Sequence, residues 1–179
     1  MTLRAPVALT PAHAGSGFDC GRPSLNQWLA QRALRNQATG ASRTYVVCEL
    51  APSGGARIVG YYALASGAVA AKAATGRLRR SMPDPIPVVL LARLAVDLRH
   101  QGRSLGRALL KDAARRVLTA ADAIGIRGLL AHALDDAARG LYEHLGFDPS
   151  PLDPLTLMIT LSDLRAELGN GANPDPSGI

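Results

Sequence analysis

The chain has little cysteine and no long apolar run, and each shortage narrows its class before any motif is read. Its two cysteines, Cys20 and Cys48 among 179 residues, match no metal-ligand spacing and are too few for a disulfide scaffold. They read as reduced side chains, and no metal site is expected. Nowhere do about 18 apolar residues follow one another, so no membrane-spanning helix and no membrane partner are expected. The N-terminal MTLRAPVALTPAHAG lacks a lysine-rich lead, a long apolar core and a cleavage site, which makes the cytoplasm the expected compartment. No internal repeat is present, and no helix-turn-helix pattern supports DNA binding by this chain alone.

What is present is an apolar chain with an arginine surplus. A length of 179 residues with 47% hydrophobic content suits one globular core. The net charge is +6, and the excess is arginine: Arg32, Arg35, Arg43, Arg57, Arg77, Arg79, Arg80, Arg99, Arg103 and Arg107. Such a balance favours a polyanionic partner, whether nucleic acid, nucleotide cofactor or acidic protein, although solvated faces would give the same count.

Patterning divides the chain into short elements. Arg4 to Leu9 reads as an opening strand. Ser24 is the expected N-cap of a helix with apolar residues at Leu25, Trp28, Leu29 and Leu34, ending near Gly40. Thr44 to Leu50 and Ile58 to Leu64 read as a hairpin around Pro52-Ser53-Gly54-Gly55. Ala65 to Pro87 carries no clear period. Val88 to Val96 is a strand, Arg107 to Ala123 an amphipathic helix, and Gly128 to Ala133 a strand. Ala137 to Leu145 is a helix stopped by Gly146, the pattern of a left-handed C-cap. Phe147 to Pro151 turns the chain, Thr156 to Leu161 is the last strand, and Ser162 to Leu168 a short helix. The domain is expected over 1–168, with a disordered Gly-, Pro- and Asn-rich tail over 169–179. Hairpins first and alternating strands and helices later predict an α/β domain, a mixed sheet with helices on both faces.

The stretch from Ala95 to Leu110 organises the rest. A strand stops at Asp97, a turn with Gly102 and Gly106 follows, and a helix begins. Such a junction aims unpaired backbone N–H groups and a helix dipole at one point, which suits a phosphate or pyrophosphate.

With Gln101-x-x-Ser104-x-Gly106 before a helix and Leu141-Tyr142-x-x-x-Gly146-Phe147 about 40 residues later, the chain resembles the GNAT N-acetyltransferase superfamily. The resemblance implies a single GNAT-like domain, mostly antiparallel, with a splayed central strand pair. Ser104 stands where the usual loop motif has a glycine. Three further segments are similar to the GNAT-type toxins of toxin–antitoxin pairs: Phe18-Asp19-Cys20-Gly21 with Leu25-Asn26-Gln27-Trp28-Leu29, the run Leu91 to Asp97, and Leu141 to Pro151. Asp153 to Met158 resembles their closing strand.

That resemblance implies acetyl-CoA as co-substrate and the α-amine of an aminoacyl-tRNA as acceptor, so that translation stops. It also implies a ribbon-helix-helix antitoxin, operator DNA bound only through the toxin–antitoxin complex, and a homodimer. Backbone groups of Leu94, Ala95 and Val96 would pair with the pantetheine arm. Gln101, Gly102, Arg103, Ser104, Leu105, Gly106 and Arg107 would form the pyrophosphate site. Asp135 would contact pantetheine, and Arg139 would reach the adenosine phosphates. Tyr142 would be the general acid, because a phenol with a reference pKa of about 10 keeps its proton at neutral pH and can give it to a thiolate. An aminoacyl amine titrates below a lysine, so water or a backbone carbonyl would accept its proton.

Lys72, Arg77, Arg79 and Arg80 with Arg93 form one candidate tRNA surface, and Arg32 with Arg35 a second. Trp28 reads as core, His132 as structural in or beside the sheet, and His100 and His144 as surface groups. Two other functions fit the same motifs: a GNAT enzyme acting on a protein N-terminus, lysine or small amine, and a non-catalytic acyl-CoA-binding regulator.

Overall fold

The computed structural model describes residues 3–13, 17–50 and 54–170. Its strands are β1 (Val7–Ala8), β2 (Arg43–Leu50), β3 (Ala56–Val69), β4 (Ile86–Val96), β5 (Gly128–His132), β6 (Asp148–Pro149) and β7 (Thr156–Thr160). Its helices are α1 (Pro23–Gln31), α2 (Ala33–Ala38), α3 (Gly76–Arg79), α4 (Leu105–Ala121), α5 (Asp136–His144) and α6 (Leu161–Asn170). The strands form one seven-stranded sheet in the order β1-β2-β3-β4-β5-β7-β6. The pairs β1/β2, β2/β3, β5/β7 and β6/β7 are antiparallel. Two compact units are distinguished along the chain, Met1–Ala65 with Leu91–Ala113 and Ser66–Leu90 with Ala114–Ile179.

In the first unit, β3 shows why helices lie on both faces. Tyr61 and Ala63 point one way, into a cluster with Leu25, Trp28 and Leu29 of α1. The Tyr61 hydroxyl donates to the Leu25 carbonyl at 2.8 Å, and its ring stacks on Trp28 with centroids 5.9 Å apart. Gly60 and Tyr62 point the other way, toward α4. A side chain at Gly60 would stand 2.9 Å from Leu109 Cδ1 and 3.5 Å from the Ala95 carbonyl; glycine is what lets α4 lie down on the strand. Tyr62 donates to the Asp112 carboxylate on α4. Leu105 and Leu109 of α4, one turn apart, are both buried, and a leucine so covered contributes about 2 kcal/mol.

The second unit has its own core of Val69, Ala74, Leu78, Ile86, Val88, Leu130 and Met158. Here β5 and β7 approach closely at Gly128, where a Cβ would stand 2.2 Å from the Ile159 carbonyl oxygen. Arg127 N–H donates to the Pro87 carbonyl at 2.8 Å, and its guanidinium donates to the Leu78 and Arg77 carbonyls. Thr160 and Asp163 cap the start of α6 reciprocally, hydroxyl to carboxylate at 2.8 Å and backbone N–H to hydroxyl at 3.1 Å.

Several boundaries differ from the sequence expectation. Only Val7–Ala8 of the opening strand is paired as a strand, with a separate bridge from Leu3 to Glu49. Ser24 is not an N-cap: α1 starts at Pro23, whose fixed φ suits the first helical position, and Arg22 precedes it without a side-chain cap. The expected single helix to Gly40 is two, broken at Arg32 (φ −119°). It does end at Gly40 (φ +79°), where the Gly40 and Ala41 N–H groups return to Gln37 and Asn36. The unreadable 65–87 segment holds the end of a 14-residue β3 and the short α3. Asp148–Pro149, expected in a turn, pairs with β7. Gly169 and Asn170, expected in the tail, end α6. The rest of that tail and the Pro52-Ser53 half of the hairpin turn lie outside the described residues.

Candidate active site

The first unit presents a concave arrangement of backbone N–H groups at the start of α4. Gly102 (φ +72°) and Ser104 (φ +61°) are left-handed, while Arg103 and Leu105 are not. An alternation of φ sign over consecutive residues turns successive N–H groups toward one point, the geometry of an anion nest. The nest leads into α4, whose first turn has N–H groups with no partner inside the helix. The Ser104 carbonyl accepts the Ala108 N–H at 3.1 Å, so this serine is the residue from which the helix departs. A non-glycine residue held left-handed costs about 1 kcal/mol. Nothing lies within 4 Å of a Cβ built on Gly102, so that glycine answers to conformation alone.

Arg103 and Arg107 are exposed and carry no carboxylate partner among the described residues. Two cations beside a helix N-terminus oppose its dipole unless an anion joins them. Nest, helix end and arginines together fit a pyrophosphate. Arg103 and Ser104 also line an open groove of about 450 Å³ with Leu3, Glu49, His100, Leu105 and Ala108.

The nest is braced from behind. Asp97, 1% exposed, ends β4 and holds four groups. Its Oδ2 takes Arg57 Nη2 at 2.6 Å and the Asp19 N–H at 3.2 Å; its Oδ1 takes the Arg99 N–H at 3.1 Å and lies 3.5 Å from Arg99 Nε. Gln101, assigned to cofactor contact by resemblance, uses its side-chain nitrogen to bridge the Cys20 and Val96 carbonyls at 3.1 and 3.0 Å. Asp19 in turn accepts from Gly21 N–H and Asn26 Nδ2, both at 2.8 Å. The Phe18-to-Asn26 segment thus ties to the turn that forms the nest. Ala95 is buried toward α1, while Leu94 and Val96 are half-buried. Cys20 and Cys48 are buried free thiols whose pKa values burial pushes up, which leaves them inert.

The second unit holds Tyr142, and the local sequence explains how. Asp135 accepts the Ala138 N–H at 2.8 Å and caps α5. At the other end Gly146 is left-handed (φ +85°), its N–H returns to Glu143 at 3.0 Å, and the Phe147 N–H returns to Tyr142 at 3.2 Å. This pair of bonds is the Schellman motif, in which an apolar residue after the glycine touches the residue whose carbonyl it caps. Phe147 and Tyr142 do touch, ring centroids 5.5 Å apart. The spacing Tyr-x-x-x-Gly-Phe is therefore a device for fixing the tyrosine. Tyr142 is 6% exposed, and burial pushes its pKa up to about 12, so the phenol stays a proton donor across the neutral range.

Arg139 is paired with Glu143 one turn along α5 at 2.7 Å. Arg77 pairs with Asp163 at 2.6 Å, while Lys72, Arg79 and Arg80 are exposed without carboxylate partners among the described residues. Arg93 lies over the Trp28 ring at 5.4 Å and donates to its neighbour's carbonyl; Arg32 and Arg35 are exposed around the α1–α2 break. His100 is not a surface group. It is 9% exposed, with Nε2 3.4 Å from Glu49 and Nδ1 making no hydrogen bond but standing 4.0 Å from Asp97 Oδ1, because the helical turn after Asp97 folds it inward. His144 is exposed as expected. Asp97, Arg57 and Asp19 were not singled out from sequence; the stop of the apolar run at Asp97 was the signal available for the first.

Among the described residues, no group of three or more His, Cys, Asp or Glu is placed to hold a metal ion, and no helix is long and apolar enough to cross a membrane.

Comparison with known proteins places this geometry in a family. Residues 41–149 match the acetyltransferase (GNAT) domain. The chain is 51% identical over 166 residues, 93% of its length and 97% of the relative's, to the tRNA-acetylating toxin of Mycobacterium tuberculosis (strain ATCC 25618 / H37Rv). A tyrosine-to-phenylalanine variant of KacT superposes with a TM-score of 0.85 at 26% identity, covering 93% of this chain and 99% of that one. AtaT complexed with acetyl-methionyl-tRNAfMet superposes with a TM-score of 0.82 at 29% identity, covering 92% and 98%. Other solved neighbours are AtaTR bound with AcCoA, AtaT bound to the C-terminus of the antitoxin AtaR, and the AtaT–AtaR complex on DNA. The nest, the fixed tyrosine and these matches together make the chain a member of the GNAT acetyltransferase family.

Proposed function

We propose that the protein is the toxin of a type II toxin–antitoxin pair, which moves an acetyl group from acetyl-CoA to the α-amine of an aminoacyl-tRNA and so blocks translation. The observation that carries this reading is the 51% identity to a tRNA-acetylating toxin over 93% of the chain. The nest and its free arginines support the cofactor half of the reading; the acceptor half rests on that likeness.

When bound, acetyl-CoA supplies an activated acetyl thioester. The chain's own residues then bind, align, polarise and donate a proton. N–H groups of Gly102 to Gly106, with Arg103 and Arg107, hold the pyrophosphate. Backbone groups of Leu94, Ala95 and Val96 align the pantetheine arm, and a main-chain N–H near Val96 polarises the carbonyl. Asp135 keeps α5 capped beside its proposed pantetheine contact, and Arg139 reaches the adenosine phosphates by exchanging Glu143 for them. Tyr142 gives its proton to the departing thiolate. The exposed Lys72, Arg79 and Arg80, with Arg77, Arg93, Arg32 and Arg35, supply cations for the tRNA backbone.

A ribbon-helix-helix antitoxin neutralises the protein, the pair binds operator DNA, and the toxin acts as a homodimer in the cytoplasm, where charged tRNA is found. The test is incubation with charged tRNA and acetyl-labelled acetyl-CoA. Label is expected on the aminoacyl group of tRNA, and label that appears only on protein N-termini, lysines or small amines overturns the reading.

A further inference from the structure

The end of β5 carries a hydrogen-bonded chain that the roles above leave out. His132 is the last residue of β5, exposed, and its register partner on β7 is Thr156. His132 Nδ1 lies 3.0 Å from Thr156 Oγ1, and that hydroxyl lies 2.7 Å from Asp153 Oδ2. Asp153 is itself fixed: its Oδ1 accepts the Leu155 N–H at 3.0 Å, and its carbonyl accepts the Thr156 N–H at 3.1 Å. The hydrogen bonds from Thr156 and Leu155 hold its carboxyl below the usual range, so at neutral pH it can only accept.

The direction of every proton follows. Thr156 must donate to Asp153, which leaves its oxygen to accept, and Nδ1 of His132 must donate to it. The proton of the neutral ring is therefore on Nδ1, and Nε2 carries a lone pair with no partner among the described residues. Two of the other histidines, both hydrogen-bonded, differ. His13 uses Nδ1 as an acceptor for the Thr10 N–H at 3.0 Å, and His100 is buried with Nε2 against Glu49. Neither is backed by a hydroxyl–carboxylate relay.

We infer that His132 is a catalytic residue of the acetyl transfer, taking a proton from the acceptor amine at Nε2, with Thr156 and Asp153 as positioning residues. The inference rests on the function proposed above. An aminoacyl amine with a reference pKa of about 7.7 to 8.0 is largely ammonium at pH 7, and only its neutral form attacks a carbonyl. Acyl transfer also needs one group to remove a proton from the nucleophile and another to deliver one to the leaving group. The strand that ends in His132 runs through Ala133, Leu134 and Asp135 directly into the helix that carries Tyr142. The ammonium first releases one proton to solvent; the neutral amine then attacks, its nitrogen–acetyl bond forms as a further N–H bond breaks toward Nε2, and the carbon–sulfur bond breaks. The thiolate takes the Tyr142 proton, and solvent carries the proton from the imidazolium back to the phenolate, so the products are amide and free thiol.

The test uses the full chain, its charged-tRNA substrate and acetyl-CoA, with nitrogen-15 histidine NMR as a second readout. His132→Ala is expected to lower kcat about 100-fold, with the KM for acetyl-CoA within about twofold and with rescue of about tenfold by added imidazole. Thr156→Val is expected to move the His132 signals from the pure Nδ1–H tautomer toward a mixture and to lower kcat about fivefold. His144→Ala is expected to change neither. If wild type labels charged tRNA and His132→Ala keeps pace, or is slow without imidazole rescue, the inference falls alone. If wild type labels no charged tRNA, the acceptor assignment and the role of His132 fall together, whereas an Nε2–H tautomer in wild type overturns the relay whatever the kinetics.

Discussion

On the roles proposed above, the turn before α4 and the segment from β5 through α5 do opposite kinds of work with opposite materials. The first offers backbone N–H groups, and its side chains mostly hold the backbone in place: Asp97 and Gln101 make bonds to the turn and its supports. The second offers side-chain atoms, the Tyr142 hydroxyl and the His132 ring, and there the backbone holds the side chains through the Asp135 cap and the Gly146 terminus. Where function is in the main chain, a substitution acts through conformation and alters binding. Where it is in side chains, a substitution removes an atom and alters the chemical step.

The sharpest test of that division is Tyr142→Phe. It should lower kcat by about 10² to 10³ while leaving acetyl-CoA affinity, measured by calorimetry, within about twofold. Equal loss of both would erase the distinction.

Next in size is Gly128→Ala. A Cβ 2.2 Å from the Ile159 carbonyl has no flexible side chain to push aside, so β5 and β7 must part, at a cost of about 3 kcal/mol or more. Thermal unfolding should show a Tm about 6 to 12 °C lower. Gly102→Ala, whose Cβ meets open space, should cost only the left-handed penalty of about 1 kcal/mol.

Asp97→Asn comes third. It leaves Arg57 facing a neutral amide and loosens the brace, for about 2 kcal/mol of stability, a figure kept below the usual cost of breaking a buried pair because Arg57 is 25% exposed. Steady-state kinetics should show the KM for acetyl-CoA rising about tenfold with kcat within about threefold. A kcat effect larger than the KM effect would put chemistry in the first region after all.

The smallest effect belongs to Ser104→Gly. Removing a left-handed side chain gains about 1 kcal/mol, the freer unfolded glycine takes back about half, and Tm should rise about 1 to 2 °C.

The same division decided what could be read from the sequence. Backbone-borne function has a local signature, since left-handed turns and helix ends select small residues. Gly102, Gly106 and Gly146 therefore announced the nest and the end of α5. Ser104 was legible as a departure, and its φ of +61° shows that the loop keeps the glycine conformation with another residue. The strand–helix alternation was readable for the same local reason. What was not readable depends on partners far apart in the chain. Asp97 is braced by Arg57, 40 residues away, and His132 is oriented by Thr156, 24 residues away. His100 looked exposed because no local pattern tells which way a short helical turn carries a polar ring. The length of β3 was hidden because Ser66, Gly67 and Ala68 have poor strand propensity, and its pairing overrides them.

The outermost strands of the sheet, β1 and β6, are two residues each, and Pro149 in β6 has no N–H to offer. A long bare margin would invite any other extended chain to zip onto it, and proteins blunt such margins by shortening them or placing proline there. This sheet ends in stubs on both sides. The consequence is colloidal: although 47% of its residues are hydrophobic, the sheet formed by the described residues offers passing polypeptides little template for continued strand addition at its two ends.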